Sequence, residues 1–400
     1  MTVHRAATRT SRLPCWLLAL LTMALGSRAT AATPPLLKLD LRAWGAIGLQ
    51  APYDESLKPS PDQSLTFLDA STLAVSFPVF NPEARLGTRD RPGGSSVVFR
   101  TTLVDVHSGQ VQGEKNWGSV YSPHVMEGIS GERLLVRVGD DLGIYSRDWK
   151  LERQYHFKST TDQAPLARVV VSPSGETVYV ITPQASKKEH VDVLTDQSSG
   201  QWIAFAVNSI GNDAISDSNF AFALPKDKKP QLFVLPLKSA TGQNHRALTP
   251  LPYKGDLGCA EPTFVADDLM VLGGLCESLF VVRVDGSVKG QNGLGERVLL
   301  HNVRTSRDQR RFALLISRPY LTAVPGEQGA FVFHGGRLRV YKSSPLSKLF
   351  EMEVVMERGE IRCVDFALSP DGSLLALMNG WMLTVYQLAA PDPSKPPAKP

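Results

Sequence analysis

The chain has 400 residues, of which 42% are hydrophobic and 20% are charged, and it contains 32 glycines and 28 prolines. The apolar content supports a packed core, the glycines and prolines suit many tight turns, and the absence of long helical periodicity excludes an architecture of long helices. The 43 Lys and Arg residues and 39 Asp and Glu residues give a formal net charge of +4.

The N-terminal segment has the pattern of a cleaved export signal. Three arginines precede the apolar stretch Cys15–Leu25, and Ala29-Thr30-Ala31 fits an A-x-A cleavage site. The apolar stretch is shorter than the ~20 residues that a membrane-spanning helix needs, so no stable membrane span is predicted. We therefore expect residues 1–31 to be a cleaved signal peptide and the mature protein to be secreted or periplasmic.

Removal of this segment changes the charge balance. It carries four arginines and no acidic residue, so 39 basic and 39 acidic residues remain. A chain without net charge has no global field that attracts nucleic acid or an anionic membrane. Two basic clusters, Lys226–Lys229 and Arg307–Arg311, are interpreted as solvated turns. We expect a monomer that binds no nucleic acid.

The mature chain begins with a strand pattern. Leu37–Arg42 alternates apolar and polar residues with a period of two, which is typical of a half-buried strand.

Further along the chain, a short apolar run, a tight turn and a second apolar run recur seven times. The clearest copy is Val364–Met378, whose turn is Ser369-Pro370-Asp371-Gly372, and the next clearest is Arg168–Val180. In such a turn Pro presets φ at the second position, Asp or Ser suits the third, and Gly suits the fourth. The first apolar residues after the seven turns are Leu73, Leu134, Val178, Phe220, Leu269, Phe312 and Leu374.

The spacing of these turns indicates one repeated unit. Four of the six intervals lie near the ~40–45 residues of a four-stranded propeller blade. The two longer intervals contain the insertions Asn81–Ser96 and Ser317–Gln328. Seven turns therefore predict an all-β fold, a seven-bladed β-propeller that spans residues 32–388.

The end of the chain predicts how the ring closes. After its turn the last repeat supplies only Leu374–Met378 and Met382–Leu388, and residues 389–400 are rich in Pro, which lacks the N–H that a strand ladder needs. We expect a disordered tail at 389–400. The last blade then lacks its outer strand, and the N-terminal strand is expected to complete it, leaving only short, protected sheet edges.

The two clearest repeats resemble those of YVTN-type and WD-repeat-like bacterial β-propellers. The resemblance runs from about Leu65 to Leu388, although the Trp-Asp dipeptide that ends true WD repeats is absent. Such propellers include lactone-cleaving enzymes, translocation partners and surface adhesins. The resemblance therefore implies the fold and does not choose among these functions.

Three cysteines remain in the mature chain. Cys259 and Cys276 flank the turn Asp267-Asp268 symmetrically, so they are predicted to face each other in a hairpin and to form a disulfide after export. The alternative is two free thiols on unequal registers. Cys363 is interpreted as a small buried hydrophobic residue.

Catalytic and metal-binding motifs are missing from the sequence. It contains no H-E-x-x-H, C-x-x-C, EF-hand loop, G-x-S-x-G or P-loop pattern, and no histidine pair has ligand-like spacing. No cofactor, metal site or catalytic residue is predicted.

The candidate binding residues are polar side chains before or within the predicted inner strands, where they would line the mouth of a central channel. Mixed charges around one axis suit a small polar ligand or a metal, and the alternative is an ordinary water-filled pore lining. The residues are His124, Glu127, Arg168, Asp213, Glu261, His301, Arg304, Arg362 and Asp365.

These observations predict an exported binding or scaffolding module for a protein, peptide or glycan, because the blade insertions add loop surface to a rigid scaffold. One alternative is a propeller hydrolase or lyase with a metal or acid–base site in the channel, since residues that converge from different blades leave no motif. Another is a structural component of the cell envelope.

Overall fold

The computed structural model describes residues 34–47, 65–80, 97–119, 124–138, 141–156, 168–183, 188–194, 203–206, 213–226, 229–236, 246–247, 259, 261–317, 335–355 and 364–388. The predicted signal peptide and the predicted Pro-rich tail lie outside these ranges, as does Cys363. No helix in the described part is long and apolar enough to cross a membrane.

The described chain is built from strands that form antiparallel sheets in chain order. The first four sheets have four strands each. The first consists of β2 (Leu65–Phe67), β3 (Thr72–Phe80), β4 (Val97–Asp105) and β5 (Val111–Ser119), and the second of β6 (His124–Ile129), β7 (Arg133–Val138), β8 (Asp141–Tyr145) and β9 (Leu151–His156). The third consists of β10 (Arg168–Val171), β11 (Val178–Pro183), β12 (Lys188–Leu194) and β13 (Ile203–Ala206), and the fourth of β14 (Asp213–Ile215), β15 (Asn219–Lys226), β16 (Lys229–Pro236) and β17 (Arg246–Ala247).

The remaining strands form two further sheets. One has six strands in chain order: β18 (Glu261–Ala266), β19 (Leu269–Arg283), β20 (Val288–Thr305), β21 (Arg311–Ser317), β22 (Gly335–Lys342) and β23 (Ser347–Val355). The other consists of β24 (Val364–Leu368), β25 (Leu374–Asn379), β26 (Met382–Gln387) and the N-terminal strand β1 (Leu37–Asp40). Each of the seven predicted turns joins two antiparallel strands.

The six-stranded sheet contains a long strand, β19, that changes direction within its length. The amide N–H of Val284 donates to the carbonyl of Asp268 at 3.0 Å, although a straight strand between them would be about 50 Å long. β19 must therefore fold back on itself, and its register with β20 shifts between Cys276 and Ser278. β20 likewise pairs with β19 through its first half and with β21 through its last residues.

The predicted N-terminal strand pairs as expected but is shorter than the pattern indicated. β1 pairs with β26 from Leu37↔Val385 to Asp40↔Met382. The chain then turns into a 3-10 helix, Leu41–Trp44, because the Asp40 carboxylate accepts from the Arg42 amide at 3.0 Å. Strand formation thus ends at Asp40 rather than at Arg42, since the side chain of Asp40 offers the backbone a local alternative to the ladder.

The repeated turns are stabilised by their own serines. Four of these serines are buried, and the Oγ of each accepts from a backbone N–H near the start of the following strand. The four bonds are Ser172 with Thr177 (3.1 Å), Ser216 with Asn219 (3.0 Å), Ser306 with Arg311 (3.1 Å) and Ser369 with Leu374 (2.9 Å). Gly372, with φ of 69°, supplies the left-handed residue that the last turn needs.

Neighbouring turns are hydrogen-bonded to one another. Because the bonds pass from each turn to the next, the turns form one linked layer, which we call the turn face. The bonds are Ser130 N to Gly175 O (2.8 Å), Ser174 Oγ to Asp217 Oδ1 (3.0 Å), Ser218 N to Asp267 Oδ1 (2.8 Å), Asp267 N to Gln309 Oε1 (3.3 Å) and Asp308 N to Pro370 O (2.9 Å).

The opposite ends of the strands define a second face. β3 runs away from its turn and ends at Phe80, and β21 runs away from its turn and ends at Ser317. The predicted insertions Asn81–Ser96 and Ser317–Gln328 begin at these two strand ends, and apart from Ser317 they lie outside the described residues. The strand ends from which both insertions start therefore lie on the face opposite the turns. We call it the loop face.

The hydrophobic core lies between neighbouring sheets. One cluster joins the last sheet to the first, with Leu374 and Val385 packed near Leu73 and Val75. Similar clusters contain Phe366 with Leu338, and Met126 with Leu103. Alternate side chains of each strand therefore pack against both adjacent sheets, as the short apolar runs predicted.

The predicted disulfide is present in the structure. Cys259 and Cys276 are joined at an S–S distance of 2.03 Å with their Cα atoms 4.9 Å apart. The two strands are not in the simple register of the prediction, because a bulge between Phe264 and Ala266 shifts the pairing so that Glu261 lies opposite Gly273. The bond ties the segment before β18 to the point where β19 folds back.

Candidate functional site

The first strands of the successive sheets lie side by side and form an inner layer. β2 lies against β24 and β6, β6 against β10, β14 against β18, and β20 against both β18 and β24. Polar residues on these strands therefore converge from different parts of the sequence.

The structure places most of the nine predicted binding residues on this layer. His124, Arg168, Asp213 and Glu261 are the first residues of β6, β10, β14 and β18, at the loop-face end of each strand. His301 lies in β20, Arg362 is outside the described residues, and the Glu261 side chain is exposed. The remaining three predicted residues are Glu127, Arg304 and Asp365.

Glu127, Arg304 and Asp365 form a charged cluster, which we call the channel cluster. An Arg304 Nη1–Glu127 Oε1 distance of 3.9 Å joins β20 to β6, and an Nη2–Asp365 Oδ1 distance of 3.9 Å joins β20 to β24. The side chain of Arg304 is 30% exposed, that of Glu127 is 22% exposed and that of Asp365 is 12% exposed. Three sheets thus contribute charges to one partly accessible site, where three of the nine predicted residues meet.

Asp365 is held in place by the backbone. Its Oδ2 accepts from the Leu65 amide at 3.0 Å and its Oδ1 accepts from the Phe366 amide at 2.8 Å. The first bond links the last sheet to β2 of the first sheet. Because both oxygens already accept hydrogen bonds, Asp365 acts as a fixed negative charge beside Arg304.

Arg304 is held much more loosely. Its distances to both carboxylates exceed hydrogen-bond length, and its buried Nε atom has no hydrogen-bond partner in the described part of the chain. A guanidinium offers five N–H donors in a planar fork, so this side chain retains unused donor capacity.

Burial sets the protonation of Glu127. Desolvation is the main cause that raises the pKa of the Glu127 carboxyl, Arg304 and Arg307 oppose the increase, Asp365 adds to it, and the resulting pKa is about 7. Near neutral pH this carboxyl both accepts and releases a proton, a property that ligand recognition and acid–base chemistry both use.

The interpretation of Arg307–Arg311 as a solvated turn is wrong for two of its arginines. Arg307 reaches from the turn after β20 to the first sheet, where it donates to the carbonyls of Phe67 (2.6 Å) and Leu68 (2.9 Å). Arg311 is 4% exposed and donates to the carbonyl of Gly372 at 2.8 Å. Burial lowers the pKa of both guanidinium groups. Backbone carbonyls at neighbouring turns accept hydrogen bonds from these two guanidinium groups, which explains why the two side chains are buried rather than solvated.

The sequence held a signal for Arg311 but none for Arg307. Arg311 directly precedes the apolar run of β21, all of which is buried, so the strand pattern places it at a buried end. The carbonyls that bind Arg307 lie about 240 residues away in the sequence, and no local pattern points to them.

Glycine packing fixes the position of the Arg307 side chain. A Cβ atom on Gly128 of β6 would overlap Arg307 Nη2 and the Phe67 carbonyl oxygen and would lie 2.9 Å from Thr66 Oγ1. The Gly128 amide donates to Thr66 Oγ1 at 2.7 Å. Three sheets therefore meet at a point where only a glycine fits.

The cluster offers hydrogen-bond donors and one proton-exchanging carboxyl. The described residues contain no group of three or more His, Cys, Asp or Glu side chains that could hold a metal ion.

Comparison with known proteins gives matches of structure only. The chain matches no protein-family model and no curated protein. A chain of the mitotic checkpoint complex is similar with a TM-score of 0.48 and 14% sequence identity, over 96% of this chain and 99% of that chain. The C-terminal WD40 domain of Sif2 is similar with a TM-score of 0.46 and 13% identity, over 90% of this chain and 99% of that one.

The structural assignment rests on the strands themselves. Five four-stranded antiparallel sheets and one six-stranded sheet are present in the described chain, the predicted hairpin turns join their strands, and adjacent sheets share their cores. The chain thus has an all-β, WD-repeat-like β-propeller fold.

Proposed function

We propose that this protein is an exported seven-bladed propeller, closed by β1, that binds a protein, peptide or glycan partner through its loop face and serves as a binding or scaffolding module. The observation that carries the proposal is the common position of the two long insertions. Asn81–Ser96 and Ser317–Gln328 both begin where a strand ends on one face, and recognition tends to use loops on a rigid scaffold.

The opposite face supports the same assignment. Its turns are short and are bonded to one another through Ser, Asp and backbone groups. A face of this kind supplies rigidity, whereas the opposite face carries the strand ends from which both insertions start. Phe80, which is 66% exposed at the loop-face end of β3, adds an apolar contact point beside one insertion.

The blade count and closure have a separate basis. Seven hairpin turns, the fold-back of β19 and the pairing of β1 with β26 support seven four-stranded blades in a ring. Export rests on the N-terminal pattern alone. Intact mass of the protein purified from its own host tests it, since cleavage after Ala31 leaves a chain that begins at Ala32.

Site-specific photo-crosslinking tests the binding face. A photoreactive amino acid replaces Phe80 on the loop face or, as the matched control, the exposed Ser108 on the turn face. We expect one defined adduct from position 80 in the native host and none from position 108. Adducts from position 108 alone, or from neither position, would contradict the proposal.

One observation favours a second function, a hydrolase or lyase with its acid–base group in the channel. Glu127 has a pKa raised to about 7, which suits general acid–base catalysis near neutral pH. A screen of esters, lactones and polyuronides tests this assignment. Any activity found should disappear in Glu127→Gln and persist in Arg310→Met, whose side chain is 57% exposed.

A further inference from the structure

The unusual feature at the channel cluster is the contrast between its arginine, Arg304, and the neighbouring Arg307. Arg307 uses its terminal nitrogens on two backbone carbonyls at 2.6 and 2.9 Å. Arg304 has a buried Nε without a partner in the described part of the chain and reaches its two carboxylates only at 3.9 Å. Arg307 therefore has a structural role, whereas Arg304 presents hydrogen-bond donors to a partly accessible space.

The nature of these donors limits the ligand. A buried donor without a partner is costly, so the favoured occupant carries an acceptor. A planar guanidinium matches the two oxygens of a carboxylate better than it matches a single acceptor. A cationic ligand would satisfy none of the Arg304 donors and would lie beside two cationic arginines.

The carboxylates of the cluster do not prevent anion binding. Asp365 already accepts from two backbone amides and stays as a fixed charge. Glu127 has Arg304 as its ion-pair partner at 3.9 Å, and it can become neutral by taking up a proton. A protonated Glu127 adds an O–H donor next to the guanidinium. When Arg307 is counted with Glu127, Arg304 and Asp365, the charge then changes from balanced to net positive, which suits an anion.

We propose that Arg304 and Glu127 form a proton-linked binding site for a small carboxylate ligand within the inner-strand layer. Arg304 binds the two carboxylate oxygens, and Glu127 takes up one proton as the ligand enters. The site is separate from the loop-face function and goes beyond it, because it needs neither long insertion.

The charges around Glu127 fix the direction of the pH dependence. Arg304, Asp365 and Arg307 face it from β20, β24 and the turn after β20. A bound anion disfavours ionisation of Glu127, so binding should be tightest below its pKa and should weaken as pH rises from 6 to 8. At pH 7.5 ligand binding should be accompanied by proton uptake.

Isothermal titration calorimetry on the mature chain tests the proposal. The probes are acetate, its neutral analogue acetamide, and an alanine tripeptide with a free or an amidated C terminus. We expect acetate to bind and acetamide not to bind. Binding of the free tripeptide but not the amidated one identifies a chain terminus as a ligand source, whereas binding of acetate alone limits the site to small free acids.

Two variants separate the roles of the side chains. Arg304→Met should weaken acetate binding by about 10- to 100-fold, the range for losing hydrogen bonds to a charged group. Glu127→Gln should still bind acetate, but the pH dependence between 6 and 8 and the proton uptake should disappear. Arg310→Met, an exposed arginine with an ion pair to Asp308 at 3.9 Å, is the matched control and should bind as wild type.

Unfolding midpoints measured in parallel show whether each variant is folded. If Arg304→Met does not fold, Arg304→Lys replaces it, since lysine keeps the charge and loses the planar fork, and an intermediate loss of affinity is expected. Equal affinity for acetate and acetamide, unchanged affinity in the folded arginine variant, or no carboxylate binding at all overturns the proposal.

Discussion

The contact between Gly128 and Arg307 gives the sharpest test of the packing. Gly128 lies in β6 beside the inner strand of the first sheet, and its amide donates to Thr66 Oγ1. A Cβ atom at this position would overlap Arg307 Nη2 and the Phe67 carbonyl oxygen. The overlap with backbone is the serious one, because the Phe67 carbonyl cannot move without disturbing β2.

The expected cost of Gly128→Ala follows from two effects. Overpacking in a well-packed region typically costs about 1–3 kcal/mol, and we use the middle of this range, about 2 kcal/mol. Displacing the guanidinium from the Phe67 carbonyl adds about 1.5–3 kcal/mol for a lost hydrogen bond to a charged group. A gain of about 0.5 kcal/mol from replacing glycine in a strand offsets only part of this. We expect a net loss of about 3–4 kcal/mol in the free energy of unfolding.

Urea unfolding followed by tryptophan fluorescence measures the effect. The matched control is Gly293→Ala in β20, where an added Cβ atom would meet nothing within 4 Å; its stability should change by less than about 0.5 kcal/mol. The double variant Gly128→Ala/Arg307→Ala should lose less stability than the sum of the two single losses, because the clash and the lost bond share one partner. If Gly128→Ala behaved like Gly293→Ala, the close approach of three sheets at this point would be refuted.

Three further predictions concern other contacts. Arg307→Ala removes the donor to two backbone carbonyls and should lower the free energy of unfolding by about 2–4 kcal/mol. The control Arg310→Ala, at an exposed arginine, should change it by less than about 0.5 kcal/mol. Similar urea midpoints for the two variants would contradict the role of Arg307 in linking its turn to the first sheet. In the folded state the pKa of Glu127 is raised from 4.5 to about 7, so the folded state binds more protons than the unfolded state between these pH values. The stability of the wild type relative to Glu127→Gln should therefore fall as pH rises from about 5 to 8. If the difference in thermal midpoint between the two proteins stayed constant across that range, the carboxyl would not be desolvated. Replacing both Cys259 and Cys276 by Ser removes a disulfide that closes a loop with a sequence separation of 17. The free energy of unfolding should fall by about 3 kcal/mol. An unchanged unfolding midpoint in urea without reductant would argue against the disulfide.

The features that sequence predicted best are those whose bonds are local. Four of the repeated turns contain both the Ser hydroxyl and the amide that donates to it, no more than five residues apart. The apolar runs on either side reflect burial between two sheets. The disulfide belongs to the same class, since its two cysteines flank one hairpin and only a bulge alters their register.

The features that sequence missed depend on strands that meet only in the folded chain. Arg307 and Arg311 look like exposed turn residues because their carbonyl partners lie in other sheets. The fold-back of β19 gave no pattern beyond a long apolar run that contains two glycines. The early end of β1 follows from one side-chain bond at Asp40.

The amino-acid sequence by itself determined the repeated hairpin, its seven occurrences and the completion of the last sheet by the N-terminal strand, because backbone hydrogen bonding and the alternation of apolar side chains act over a few residues. Only the tertiary structure decided which polar side chains share a site. Glu127, Arg304 and Asp365 come from three sheets and meet through the stacking of inner strands. Burial and charge at that meeting point, rather than any motif, set the chemistry of the channel cluster.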